Sequence, residues 1–280
     1  MLRYEVVDVF TDRPYAGNPL AVVLDAEGLS DGQMLAIARE FHLSETAFPL
    51  PSPDPSADYL LRIFTPEEEI PFAGHPSVGT AWLLAALGRV GAEVRQLCGE
   101  GVLPLSVTAE GAVLTAGTPV AGPPVDPEPV LRAVGLGLAD LDAAAPARTC
   151  SAGLPATFVP VRPEAVGRAG PDVPALLPYG NVSVFSWDGG TARTRVFCAS
   201  LGIPEDPATG SAAAAFGAWL AAGGLVGDGE SSYVVLQGEE LHRPSRIEGQ
   251  VLVEGGRAVR CRIGGRVARV ARGEIERPPD

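Results

Sequence analysis

Two similar halves, each with short strands wrapped around one buried helix, are what this chain of 280 residues predicts. Three observations carry that expectation: many short apolar segments bounded by turn residues, two helical segments without a polar face, and a set of ordered internal matches. Gly (34) and Pro (27) are abundant, and because both interrupt regular structure they favour short strands and tight turns over long helices.

The strand signals are Tyr4–Phe10, Leu20–Leu24, Glu45–Phe48, Tyr59–Phe64, Val182–Phe185, Thr194–Phe197, Tyr233–Leu236 and Ile247–Val253. Ser30 with Gln33 reads as a capping box, after which Met34, Leu35, Ala38 and Phe41 share a helical stripe. Pro76–Leu87 and Pro207–Ala222 are apolar or small on every side, so each is expected at the centre of its own layer of strands. Both open as P-x-x-G-[ST]-A. Arg62-Ile63-Phe64 and Arg195-Val196-Phe197 stand upstream of them, and Ala16-Gly17-Asn18-Pro19 is echoed by Ala152-Gly153-Leu154-Pro155. These matches keep their order at offsets between 131 and 136, which indicates an internal duplication. The Pro-rich stretch 119–129 reads as the connection, giving domains 1–118 and 119–280.

Charge excludes several partners. With 34 acidic against 21 basic residues the net charge is −13, which repels a phosphate backbone and an anionic membrane alike. An anionic substrate must then be held by local dipoles. Cys98, Cys150, Cys198 and Cys261 are scattered without ligand spacing and read as reduced thiols, not a disulfide or metal framework. The N-terminal residues carry acids and no continuous apolar run, so no signal peptide is expected. The longest apolar stretch, Ala212 to Val226, falls short of the ~20 residues that span a bilayer. A cytoplasmic location follows from these readings.

The chemistry is expected at the helix starts. A helix N-terminus leaves N–H groups unpaired and attracts anions. Two matched ends therefore suggest a carboxylate site, although plain capping of two core helices fits the same residues. Asp206 before Pro207 reads as an N-cap followed by a proline at the first helical position. His75 holds the corresponding place before Pro76 and is able to donate, accept or shuttle a proton. Glu45 shares a strand face with Leu43 and Ala47, where desolvation would make it a better proton-transfer group; an edge strand whose Glu45 reaches water fits the spacing equally.

Gly17-Asn18-Pro19, Leu43-Ser44-Glu45-Thr46, Arg62-Ile63-Phe64-Thr65-Pro66, Phe72-Ala73-Gly74-His75-Pro76 and Glu205-Asp206-Pro207-Ala208-Thr209-Gly210-Ser211-Ala212 together resemble the PhzF-like family of phenazine biosynthesis. Gln237-Gly238 and Arg243-Pro244-Ser245 fit its C-terminal half. The resemblance implies the diaminopimelate-epimerase-like fold, with two pseudo-symmetric α+β domains, each a mixed sheet around a central helix, and an active site between them. It implies a homodimer without metal or organic cofactor. It also implies an isomerase acting on a small anionic substrate such as trans-2,3-dihydro-3-hydroxyanthranilate. By the same carry-over Glu45 is the proton carrier, His75 and Asp206 assist, and Gly74, Gly210 and Ser211 hold the substrate carboxylate. Two features depart from the family pattern: the acidic Glu239-Glu240-Leu241-His242, and Cys198-Ala199-Ser200 in place of a small residue and proline. Two rival readings stand beside this one. The first is a two-thiol amino-acid racemase or epimerase, which needs a cysteine at each helix start. The second is a dimeric small-anion-binding protein without turnover.

Overall fold

The computed structural model describes residues 1–143 and 145–279. The chain divides into two compact units, residues 1–115 with 264–280, and residues 116–263.

The first unit contains β1 (Leu2–Val9), β2 (Asn18–Val23), α1 (Asp31–Phe41), β3 (Thr46–Leu50), β4 (Tyr59–Phe64), β5 (Glu69–Ile70), α2 (Gly74–Ala86), β6 (Glu93–Cys98), β7 (Gly101–Val107) and β8 (Gly111–Thr115). The second contains β9 (Val120–Pro124), α3 (Pro127–Ala133), β10 (Arg148–Ser151), β11 (Pro155–Pro160), α4 (Pro163–Val166), α5 (Val173–Leu176), β12 (Asn181–Trp187), β13 (Thr191–Cys198), β14 (Ile203–Asp206), α6 (Gly210–Ala222), β15 (Gly229–Gln237) and β16 (Ser245–Glu254). A long last strand, β17 (Arg257–Ile275), starts in the second unit and finishes in the first.

Each unit is a mixed sheet around one helix, as its apolar sequence requires. In the first, β1 lies antiparallel to β2, β2 parallel to β3, β3 antiparallel to β4, and β4 parallel to β6. Helix α2 packs against β1, β2, β3, β7 and β8, and Gly79 allows the close approach: a Cβ there would sit 2.7 Å from Val9 and 2.9 Å from Leu20. In the second, β11 is parallel to β12, β12 antiparallel to β13, and β13 parallel to β15. Helix α6 packs against β9, β10, β11 and β16, with Phe216 and Trp219 stacked beside Phe185. Helix α1 carries the expected capping box and buries Gln33, Met34, Ile37 and Ala38.

Two expectations about organisation are corrected. The Pro-rich stretch after residue 118 is not a free connection: Val120–Pro124 forms β9, a mostly exposed strand antiparallel to β10, where proline is tolerated as at a sheet edge. The assignment of everything beyond 118 to one domain also fails, because residues 264–280 belong to the first unit. There Val267 to Ile275 pair antiparallel with Val9 to Leu2, and Gln33 donates to the Pro278 carbonyl. The apolar β1, sharing one side with β2, needs a partner on its other side, and the C-terminal strand supplies it. Among the described residues no helix is long and apolar enough to cross a membrane.

Candidate active site

The R-x-F repeats show how alike the two units are in detail. Arg62 lies over the Phe64 ring at 5.1 Å and forms a two-pronged pair with Glu69 on the next strand. Arg195 lies over Phe197 at 5.4 Å and pairs in the same way with Glu205, at 2.8 and 2.6 Å. Between Phe197 and Glu205 the second unit has three extra residues, and a 3₁₀ turn, Ala199–Leu201, takes up the Cys198-Ala199-Ser200 departure. Beyond it the offset is 136, the same as between Gly17 and Gly153.

That offset revises the expected equivalence. Both central helices begin on glycine, α2 at Gly74 and α6 at Gly210, so the matched pair is Pro71-x-x-Gly74 and Pro207-x-x-Gly210. The P-x-x-G-[ST]-A match at Pro76 falls more than a turn away from its apparent partner. His75 is therefore inside the first turn of α2, behind an Ala73 cap position, and its counterpart is Ser211. Pro76 is accommodated because its missing N–H is one the first turn would not have bonded. Asp206 is not the cap of α6 either: it ends β14, and the cap residue is Thr209. The physical reason is Gln237, which accepts from the Thr209 N–H at 3.1 Å and donates to the Asp206 carbonyl at 2.6 Å, keeping this segment out of the helix.

In the first unit Glu45 and His75 come together. Helix α1 stops at His42 in a left-handed conformation (φ 51°), and the chain turns through Leu43 and Ser44 to Glu45, which lies just ahead of β3 rather than within it. Glu45 is nevertheless buried, 7 % exposed, so the water-facing alternative is excluded. His75, 3 % exposed, places Nε2 at 3.6 Å from Glu45 Oε2. That spacing would suit an ion pair with a protonated ring, but burial pulls the His75 pKa down to about 3, so the imidazole is neutral. Its Nδ1 lies 3.2 Å from the Asn18 side-chain nitrogen, and Ser44 Oγ lies 3.4 Å from Asn18 Oδ1. An amide nitrogen only donates, so Nδ1 accepts and the ring proton sits on Nε2, towards Glu45. At 3.6 Å the two are beyond hydrogen-bond reach, and Nε2 has no hydrogen-bond partner among the described residues. Asn18 owes its place to Gly17 (φ 65°), where a side chain would collide with the Val9 carbonyl.

In the second unit Asp206, 6 % exposed, accepts at Oδ2 from the Thr209 hydroxyl at 2.6 Å. Gly238 (φ 80°) lets the loop after Gln237 close on Pro207, whose oxygen would be 2.5 Å from a Cβ. Neither Ala73 nor Thr209 makes a side-chain cap, so Gly74 and Gly210 open helices whose positive ends are not covered by their own cap residues. Asn18, Thr209 and Gln237 were visible only as letters within motifs. What gives them roles is contact across tens of residues, which spacing does not reveal.

The family model described as phenazine biosynthesis-like protein (PhzC-PhzF) matches residues 7–273. The chain belongs to the PhzF family. It is 38 % identical to an uncharacterized isomerase of Mesorhizobium japonicum, with 98 % of each chain covered. It is 34 % identical to the trans-2,3-dihydro-3-hydroxyanthranilate isomerase of Pseudomonas aeruginosa, covering 98 % of this chain and 99 % of that one. The crystal structure of a PhzF-family phenazine biosynthesis protein of Bacillus anthracis superposes with a TM-score of 0.88 at 28 % identity, covering 98 % and 99 %. The α+β, diaminopimelate-epimerase-like fold and the isomerase class expected from the motifs therefore hold for this PhzF-family chain.

The two-thiol alternative finds no support in this PhzF-family chain. All four cysteines are buried and none stands at Gly74 or Gly210. Burial raises the Cys98 thiol and pushes Cys150 up to about 11 and Cys261 to about 12, the reverse of what a thiolate base needs.

Proposed function

We infer that this PhzF-family isomerase moves a proton on a small carboxylate-bearing substrate resembling trans-2,3-dihydro-3-hydroxyanthranilate, with Glu45 as the carrier. The observation that carries the reading is the buried pairing of Glu45 with a neutral imidazole whose proton faces it. Glu45 as carboxylate takes a proton from one carbon, the electron pair shifts along the conjugated system, and the carboxylic acid so formed returns the proton to a different carbon. Protons and electrons balance within the substrate, and one group serves as base and then acid. His75, neutral and with its Nε2 proton unengaged 3.6 Å from Glu45, is placed to donate a hydrogen bond to the substrate without competing for the proton. Asp206 keeps an assisting role, and Gly74, Gly210 and Ser211 keep the carboxylate-binding role, that the family resemblance implies. The homodimer and the cytoplasmic location belong to the same reading. The names of the Pseudomonas relatives support the substrate class.

The test is turnover of trans-2,3-dihydro-3-hydroxyanthranilate in D₂O, followed by NMR. Wild-type protein should convert the probe to its isomer, with deuterium at the new carbon only to the extent that the Glu45 proton exchanges with solvent before it is returned, and Glu45→Gln should slow the conversion by about 10²–10⁴-fold. Binding with no conversion in the wild type would instead support the anion-binding protein without turnover.

A further inference from the structure

A buried glutamine reaches towards the start of the central helix in both units, but with different reach. In the first, Gln96 on β6 accepts from Tyr59 and donates to Ser77 Oγ at 2.9 Å, and Ser77 in turn donates to the Ala73 carbonyl. In the second, Gln237 on β15, only 2 % exposed, engages the cap residue itself and the residue three before it.

Donor and acceptor chemistry allows one arrangement of that second network. The Thr209 backbone N–H must donate, so the Gln237 atom facing it at 3.1 Å is the carbonyl oxygen. The Asp206 carbonyl must accept, so the atom facing it at 2.6 Å is the amide nitrogen. The same NH₂ gives its second proton to Thr209 Oγ1 at 3.0 Å. The single Thr209 hydroxyl proton is then directed to Asp206 Oδ2, 2.6 Å away. Two consequences follow. Thr209, although the cap residue of α6, does not cap it with its side chain. Asp206 Oδ2 is held as an acceptor, the arrangement that favours the ionised carboxylate. Arg195, on the adjacent strand β13, is committed to Glu205 and to the Ala169 carbonyl.

We propose that Gln237 is a positioning residue of this isomerase: it orients the Thr209 hydroxyl so that Asp206 is held as a fixed carboxylate acceptor and the α6 terminus is left without a side-chain cap. This rests on the reading in which Asp206 assists the reaction.

The test separates the two claims. In the free protein, the ¹³C carboxyl titration of Asp206 is followed in wild type, Thr209→Val, Thr209→Ser and Gln237→Leu. Thr209→Val keeps the branched shape but lacks the hydroxyl, and should raise the Asp206 midpoint by about one pH unit, the size of one lost hydrogen bond to the charged form. Thr209→Ser should titrate like wild type. Gln237→Leu removes both donations without adding a charge, and should also raise the midpoint. If Thr209→Val does not fold, Gln237→Leu against Thr209→Ser still decides. Midpoints unchanged in both Thr209→Val and Gln237→Leu would overturn the proposal. With the same dihydroanthranilate probe, kcat should fall more in Thr209→Val than in Thr209→Ser, with KM changing less. An Asp206→Asn variant that converts the probe as fast as wild type, while Glu45→Gln does not, removes Asp206 from the reaction and with it the catalytic half of the proposal. The titration still decides the positioning half.

Discussion

Burial of His75 makes the stability of this isomerase sensitive to acid, and the size of the effect can be worked out. The folded-state pKa is held at about 3 by desolvation, against 6.5 for the imidazole in an unfolded chain. Between these values the unfolded chain binds a proton that the folded protein does not, so stability is lost as pH falls below 6.5. At pH 5 the unfolded histidine is almost fully protonated and the folded one almost fully neutral. The loss relative to neutral pH is then about 2 kcal/mol, from RT ln(1 + 10^1.5). Because pH 5 lies well above the folded-state value, that number depends almost wholly on the unfolded pKa. The measurement is urea unfolding of wild type and His75→Gln at pH 7.5 and pH 5.0. The wild type should lose about 2 kcal/mol more than the variant on acidification. Equal losses in both proteins, or a His75 ring signal that titrates near 6.5 by NMR, would refute the account of a neutral, desolvated imidazole.

Two further outcomes are expected. Asn18→Asp replaces the donor to His75 Nδ1 by an acceptor at the same place, so the ring proton should move from Nε2 to Nδ1. ¹⁵N shifts of the imidazole read this directly, and an Nδ1–H ring in the wild type would contradict the assignment. Glu205→Ala should cost about 3–5 kcal/mol by leaving Arg195 buried without its carboxylate, whereas Glu69→Ala should cost about 1 kcal/mol or less because that pair is far more open to solvent. Thermal or chemical unfolding of both variants checks the ordering, and equal costs would count against it.

Much of the scaffold was legible in the residues. The two helices without a polar face are the two buried centres, the Ser30–Gln33 capping box starts α1, and the repeated Arg-x-Phe segments make the same stacked, paired arrangement twice. The helix starts were misplaced for a specific reason. Proline at the first helical position is a good local rule, but at Pro207 it was overridden by Gln237, thirty residues away, which captures the groups a helix would have used. Glu45 was found by its motif, while its burial depends on the left-handed stop at His42 and on the packing beneath it. The role of Asn18 follows from its distance to a ring fifty-seven positions along the chain. Such long contacts leave no periodic trace.

The path of the last strand has a consequence for how the molecule is made. Residues 116–263 are a continuous stretch, so the second unit has its entire chain as soon as that stretch has been synthesised. The first unit, although begun earlier, lacks the strand that lies beside β1 until residues 264–280 arrive. A nascent chain leaving the ribosome therefore carries an incomplete first unit throughout synthesis of the second, with one side of β1 waiting for the final segment. The usual order, in which the part translated first is the first able to close, is reversed here by a single returning strand.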